Sequence, residues 1–166
     1  VWGNYGGLLK SAIASLKYNN HPEIAQPLGY ELGKAWLKSS LSTQKLTVIP
    51  IPMYSQKQKE RGFNQAELIG QSFCQYTGLK LQPQGLIRIR ETKAQFGLGG
   101  AEREQNLQNA FRVGKSLQNR RNQSPILLID DIYTTGATAR NAASVLRKQG
   151  ISVLGIVAVA STMKRN

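Results

Sequence analysis

Two adjacent carboxylates, Asp130 and Asp131, and the turn that follows them carry the chemistry of this chain. Neighbouring carboxylates can accept hydrogen bonds from vicinal hydroxyls, such as those of a sugar. Two residues later come Thr134, Thr135, Gly136, Ala137 and Thr138, which open an alanine-rich amphipathic stretch. A hydroxyl- and glycine-rich turn of this kind offers backbone N–H groups, hydroxyls and the positive end of a helix dipole to one phosphate. The carboxylates just upstream would repel that phosphate. A ribose 5-phosphate satisfies both halves, with its hydroxyls at the acidic pair and its phosphate at the turn. A side chain at Gly136 is expected to fill the phosphate's space.

The elements that must position these residues are legible on either side. Ile126, Leu127, Leu128 and Ile129 form an apolar run, the mark of a buried parallel strand that delivers the acidic pair to its carboxyl end. The helix after the turn is expected from Ala137 to Gln149. An ordinary strand, turn and helix would also favour Asp and Thr as caps. The whole order, however, with four apolar residues, Asp-Asp, two residues and Thr-Thr-Gly-x-Thr, resembles the phosphoribosyl-pyrophosphate (PRPP) signature of the type I phosphoribosyltransferases. The resemblance implies catalytic roles for Asp130 and Asp131, and a PRPP phosphate at Thr134, Thr135, Gly136, Ala137 and Thr138. It also implies a Mg²⁺ cofactor held mainly by the ligand, which the two aspartates touch indirectly through water or ligand.

Along the rest of the chain, Leu8, Leu9, Ala12, Ile13 and Leu16 recur at helical spacing, as do Ile24, Leu28, Leu32 and Trp36. Pro27 lies inside the second set, which therefore starts near it or is kinked. Thr47 to Ile51 reads as a short strand closed by Pro50 and Pro52, and Met53 to Phe63 as a polar, basic loop. Asn64 and Glu67 have capping-box spacing, and the helix they open runs to a stop at Gly78. Leu86 to Arg90 alternates, with Ile87 and Ile89 on one face and Arg88 and Arg90 on the other. Thr92 to Gly100 reads as a mobile loop, Ala101 to Gln108 as a short helix and Phe111 to Val113 as a strand. A charged loop from Lys115 to Ser124 and a last strand from Ile151 to Ala160 complete the order. Strands alternating with helices predict an α/β fold, an open, mostly parallel sheet with helices on both faces. The expected organisation is one domain over 1–166, with a helical N-terminal part (1–45) and a sheet core (46–166) holding the motif at 126–138.

Three segments taken in order are similar to the ComF family of phosphoribosyltransferase-like proteins. They are TVIPIPMYSQKQKERGFNQAELIG, RIRETKAQFGLGGAEREQNLQNAFRV and the terminal PRPP motif. The RGFNQA run and the spacing of Gln95, Arg103 and Asn106 are distinctive of that family, which is associated with bacterial competence and DNA uptake. In a type I fold the loop after the first core strand holds pyrophosphate, which implies Arg61 as a phosphate clamp, since guanidinium binds phosphate bidentately. The loop from Thr92 to Gly100 takes the place of a hood that closes over PRPP. That makes Lys93 and Arg103 candidates for neutralising the leaving pyrophosphate, with a salt-bridged helix end beside Glu102 and Glu104 as the competing account. Two departures stand out. The cysteine-rich, zinc-binding segment that precedes this part in ComF relatives is trimmed away or lacking. Thr134 also stands where enzymes acting on 6-oxopurines carry an Asp, and a hydroxyl cannot replace a carboxylate as general base. That argues against salvage of hypoxanthine or guanine.

Composition narrows the class. The 166 residues are 40% hydrophobic and 19% charged, as in soluble globular proteins. No apolar run approaches the roughly 20 residues of a membrane span, no signal peptide is visible, and a cytoplasmic location is the default expectation. A single cysteine, Cys74, excludes an internal disulfide or a cysteine-based zinc site in this sequence and reads as a small core residue. The net charge is +13, with 12 Lys or Arg against 5 Glu between Lys57 and Arg121. A PRPP site needs only part of that excess. Two readings follow. One is a PRPP-dependent enzyme moving ribose 5-phosphate to a nitrogen acceptor. The other is a non-catalytic PRPP-, nucleotide- or single-stranded-DNA-binding component of the uptake machinery, partnered by competence proteins.

Overall fold

The computed structural model describes residues 1–91, 110–117 and 124–163. Its main sheet has five strands, all parallel, in the order β1-β7-β6-β2-β3. These are β1 (Gly3–Asn4), β2 (Thr47–Pro50), β3 (Lys80–Leu81), β6 (Ile126–Tyr133) and β7 (Val153–Ser161). Two further strands, β4 (Leu86–Arg88) and β5 (Phe111–Val113), pair antiparallel in a separate ribbon. The open α/β sheet is thus as expected, and β1 and β3 are additions too short to show a period.

Five helices are described: α1 (Gly7–Tyr18), α2 (Ala25–Leu37), α3 (Ser55–Arg61), α4 (Gln65–Thr77) and α5 (Ala137–Lys148). Pro27 falls in the first turn of α2, where a missing N–H costs no intrahelical bond, so the helix starts there without a kink. Where a loop was expected over Met53 to Phe63, Ser55 to Arg61 forms α3, which ends at Gly62 with φ +86°. Its apolar content is too low for periodicity to reveal it. α4 begins and ends at the expected residues. Asn64 Oδ1 accepts from Ala66 N–H at 3.1 Å, and Gly78, at φ +75°, closes the helix through its N–H to Cys74 O.

Alternation along β6 divides the core in two. Leu127 and Ile129 face α1, α2 and α4 in a cluster with Ile13, Leu16 and Phe73. Ile126 and Leu128 face the other way, against Ala142 and Leu146 of α5 and Leu86 and Val113 of the ribbon. Leu8 is 91% exposed, so the apolar stripe of α1 runs through Leu9, Ile13 and Leu16 instead. α2 and α4 come close enough that a Cβ on Gly29 would strike Ile69 O, and Ser72 Oγ donates to Gln26 O at 2.6 Å. In the ribbon, the side turned inward carries Leu86 and Arg88, while Ile89 is 44% exposed. Arg88 is kept there by the face of Phe111, 5.7 Å from its guanidinium carbon.

Candidate functional site

β2 and β6 are neighbours in the sheet, but the chain leaves them in opposite directions. After β2 it passes through α4 on one face to β3, and after β6 through α5 on the other face to β7. Such a divergence opens a crevice beyond the carboxyl ends of the two strands. A cleft of about 430 Å³ lies there. Ile51, Pro52 and Met53 line it after β2, and Asp130, Asp131, Thr134 and Thr138 line it from β6 and α5.

The acidic pair sits within β6 rather than after it. The strand runs on to Tyr133 because β7 continues beside it, pairing Asp130 with Ala158 and Tyr133 with Ser161. On the other side β2 pairs no further than Ile129, so the aspartates border the cleft where that neighbour has turned away. Because side chains alternate in a strand, the two carboxylates point to opposite faces. Asp131 shares the face of Leu127 and Ile129, is 3% exposed, and meets Lys17 of α1, whose Nζ lies 2.7 Å from its Oδ2. Its Oδ1 accepts from Ile132 N–H at 2.7 Å. Asp130 shares the opposite face, and its Oδ1 accepts from Asp131 N–H at 2.8 Å.

The electrostatics separate the two groups. Burial, reinforced by the adjacent Asp131 charge, pushes Asp130 well above the usual carboxylate range, with Lys17 pulling the other way. Burial also pulls the Lys17 ammonium down, but the charge and hydrogen bond of Asp131 outweigh it and leave Lys17 above its ordinary value. Burial lowers the Arg88 guanidinium, opposed by the charges of Asp130 and Glu91. The cleft therefore holds one carboxylate paired with Lys17 and one penalised by desolvation.

Of the candidates read from sequence, Asp130, Asp131, Thr134, Thr138 and Arg61 are brought to one cleft. Thr135 is exposed, its Oγ1 accepting from Ala137 N–H at 3.4 Å, while Gly136 and Ala137 are buried behind the lining. Gly136 has φ +76°, and a Cβ there would strike Tyr133 Oη and come within 3.1 Å of Arg140 Nη1. A side chain at Gly136 thus meets Tyr133 and backbone strain within the protein itself. Arg61 donates from Nη1 to Gln65 Oε1 at 2.6 Å, and its guanidinium carbon lies 5.8 Å from the centre of the Tyr18 ring. Lys57 pairs with Glu91 at 3.6 Å. Lys93 and Arg103, with Gln95, Asn106, the Thr92 to Gly100 loop and the Ala101 to Gln108 helix, lie outside the described residues.

Sequence reasoning missed Lys17, Tyr18 and Arg88 as cleft residues. A signal for Lys17 was present. It follows Ile13 by four residues, so it occupies a place on the buried stripe of α1 where the period calls for an apolar group. Asn64, read as a helix cap, also donates from Nδ2 to Ile51 O at 3.1 Å and so ties α4 to the end of β2.

A Mg²⁺ ion needs near-octahedral oxygen coordination. Among the described residues no cluster of three or more His, Cys, Asp or Glu could hold a metal. Two carboxylates, one of them taken by Lys17, do not make a cage for an ion that demands six oxygens. The donor set fits only an ion whose coordination a phosphorylated ligand and water complete, with Asp130 accepting from such a water. Among the described residues no helix is long and apolar enough to cross a membrane.

No protein-family model matches the chain. It is 32% identical over 163 residues to competence protein F of Haemophilus influenzae, covering 94% of this chain and 69% of that protein. It is 28% identical to the DNA utilization protein YhgH of Salmonella typhimurium, covering 96% of this chain and 70% of that protein. Among solved structures, adenine phosphoribosyltransferase from Saccharomyces cerevisiae superposes with a TM-score of 0.52 at 16% identity, covering 86% of this chain and 71% of that one. That likeness establishes a type I phosphoribosyltransferase fold.

Proposed function

Since the chain belongs to the competence protein F (ComF) family, we propose that it binds PRPP, or a related phosphorylated ribose, in the cleft between β2 and β6. The observation that carries this reading is the meeting of Asp130, Thr134 and Thr138 in one cleft at the carboxyl ends of parallel strands. The hydroxyls of Thr134 and Thr138, with the N-terminus of α5, take the 5-phosphate. Asp130 accepts from the ribose hydroxyls, while Asp131, held by Lys17, keeps its strand and α1 in register behind it. Arg61 meets the pyrophosphate. A bound Mg²⁺ would neutralise pyrophosphate oxygens.

In the enzyme form of the reading, a nitrogen nucleophile forms a bond to ribose C1 as the C1–oxygen bond to pyrophosphate breaks, with inversion. The residues of the chain orient the sugar and exclude water. In the cell this activity serves DNA uptake, as the names of the relatives suggest. A second reading, binding of single-stranded DNA, draws on the +13 charge and on exposed Lys57 and Lys59 of α3 beside the cleft.

Titration calorimetry with PRPP, on wild type and Thr138→Val, tests the binding. Saturable binding that weakens at least tenfold in the variant is expected, and no heat with wild type would end the reading. Pyrophosphate release with PRPP and a panel of nucleobases then separates enzyme from binding protein. Anisotropy with a labelled oligonucleotide at two salt concentrations, with and without PRPP, tests the second reading.

A further inference from the structure

In the RGFNQA run, residues 61–66, Gly62 ends α3 at φ +86°, and Asn64 caps α4 while holding Ile51 O. Gln65 opens α4 and lines the cleft, and its Oε1 accepts from Arg61 Nη1 at 2.6 Å across the corner between the two helices. That bond has only one possible sense. A guanidinium donates and never accepts, so the Gln65 carboxamide must turn its oxygen, not its NH₂, toward Arg61. The same guanidinium carbon lies 5.8 Å from the centre of the Tyr18 ring of α1. Tyr18 in turn follows Lys17, whose Nζ meets Asp131 on the far wall of the cleft. A long cationic side chain with many rotamers is thus held from two helices before any ligand arrives. One of its five N–H donors goes to Gln65, which leaves an edge of the fork for a phosphate.

We propose that Gln65 is a positioning residue: it fixes the Arg61 fork for the pyrophosphate and so sets the preference for a ribose that carries a C1 pyrophosphate over ribose 5-phosphate itself. The inference rests on the reading above, in which Arg61 meets the pyrophosphate, and it assigns the fixed orientation of that arm to its neighbour on α4. A neutral amide suits the part. A carboxylate at this position would hold the guanidinium too, but it would offset the charge of Arg61 and repel the phosphates. With no acceptor there, Arg61 would have to be ordered as the ligand binds, which weakens binding.

Calorimetry with PRPP and ribose 5-phosphate in one Mg²⁺ buffer, on wild type, Gln65→Met, Arg61→Met and the double variant, tests the role. Wild type should prefer PRPP at least tenfold. Gln65→Met keeps the length and loses the acceptor. It should cut that preference about fivefold, the scale of one hydrogen bond, by weakening PRPP alone. Arg61→Met should cut it further. Adding Gln65→Met to Arg61→Met should change it by less than about twofold, because Gln65 acts only through Arg61. Gln65 is partly exposed at the first residue of α4, so Gln65→Met should melt with wild type, which circular dichroism checks. Should Gln65→Met keep the full preference, weaken both ligands alike, or weaken PRPP as much without Arg61 as with it, the positioning role is overturned while sugar-phosphate binding stands. A wild type that binds both probes equally overturns it in the same way. Should neither probe bind wild type, the sugar-phosphate reading falls and the positioning role with it.

Discussion

Lys17 Nζ lies 2.7 Å from Asp131 Oδ2, which joins a helix from the start of the chain to the second residue of an acidic pair 114 positions later. The two carboxylates of that pair therefore have different surroundings. Asp131 is 3% exposed and paired with Lys17. Asp130 shares the opposite face of the strand and lines the cleft.

Removing one partner of this ion pair should be costly. Lys17→Met leaves a buried, unpaired carboxylate and is expected to lower stability by about 3 kcal/mol in urea titration, toward the low end of the range for broken buried pairs. Adding Asp131→Leu should restore most of the loss, because two apolar groups replace the pair without leaving a charge behind. A double variant no more stable than the single one would mean that the ion pair is not the source of the effect.

Asp130 should show the opposite behaviour. A carboxyl whose pKa is raised by folding holds its proton more tightly in the native state than in the unfolded chain. Folding is then favoured on the acid side and penalised as pH rises above the unfolded value of about 3.9. Asp130→Asn removes that penalty. The variant should melt above wild type at pH 7, with the gap narrowing as pH falls toward 4, and should bind PRPP at least tenfold more weakly. Thermal melts across that range, with calorimetry at pH 7, check both halves.

Asn64→Ala should destabilise by about 2 kcal/mol. It removes the cap on Ala66 N–H and the bond to Ile51 O together. The second loss bears on the cleft, since Ile51 lines it just after β2, and ligand affinity should fall with stability. Asn64→Asp keeps the cap but not the donor and should lie between the two in chemical denaturation.

Burial pushes the Cys74 thiol up to about 12. Only the thiolate reacts quickly, so a thiol reagent at pH 8 should leave native protein nearly unlabelled and label it fully in denaturant. Rapid native labelling would mean that α4 opens readily at Cys74.

How much of this was legible in the sequence differs from element to element. The long segments with a strong period or a chemical punctuation mark could be read directly. β6 announced itself by four apolar residues, α4 by Asn64 and Gly78, and α5 by its alanines, because these signals act within a few residues of chain. The two-residue strands β1 and β3 have no such local signal, and only their pairing with β7 and β2 makes them regular. α3 buries no residue, so it has no apolar period to read, and its one local mark is the stop at Gly62.

The motif determined that two carboxylates, a glycine and three threonines would lie close together, since they are adjacent in the chain. It could not determine which way each would face or what would meet it. Those outcomes follow from tertiary structure. The continuation of β7 beside β6 carried Asp130 and Asp131 inside a strand and turned them to opposite faces. The packing of α1 put Lys17 on one of them, and the inward side of the ribbon put Arg88 in the same cleft. Tyr133 over Gly136 and Tyr18 against Arg61 are likewise meetings that spacing alone does not specify. Local sequence sets which groups are available and the period at which they point. The partners that give those groups their charge state and role come from distant segments, and only the folded sheet brings them together.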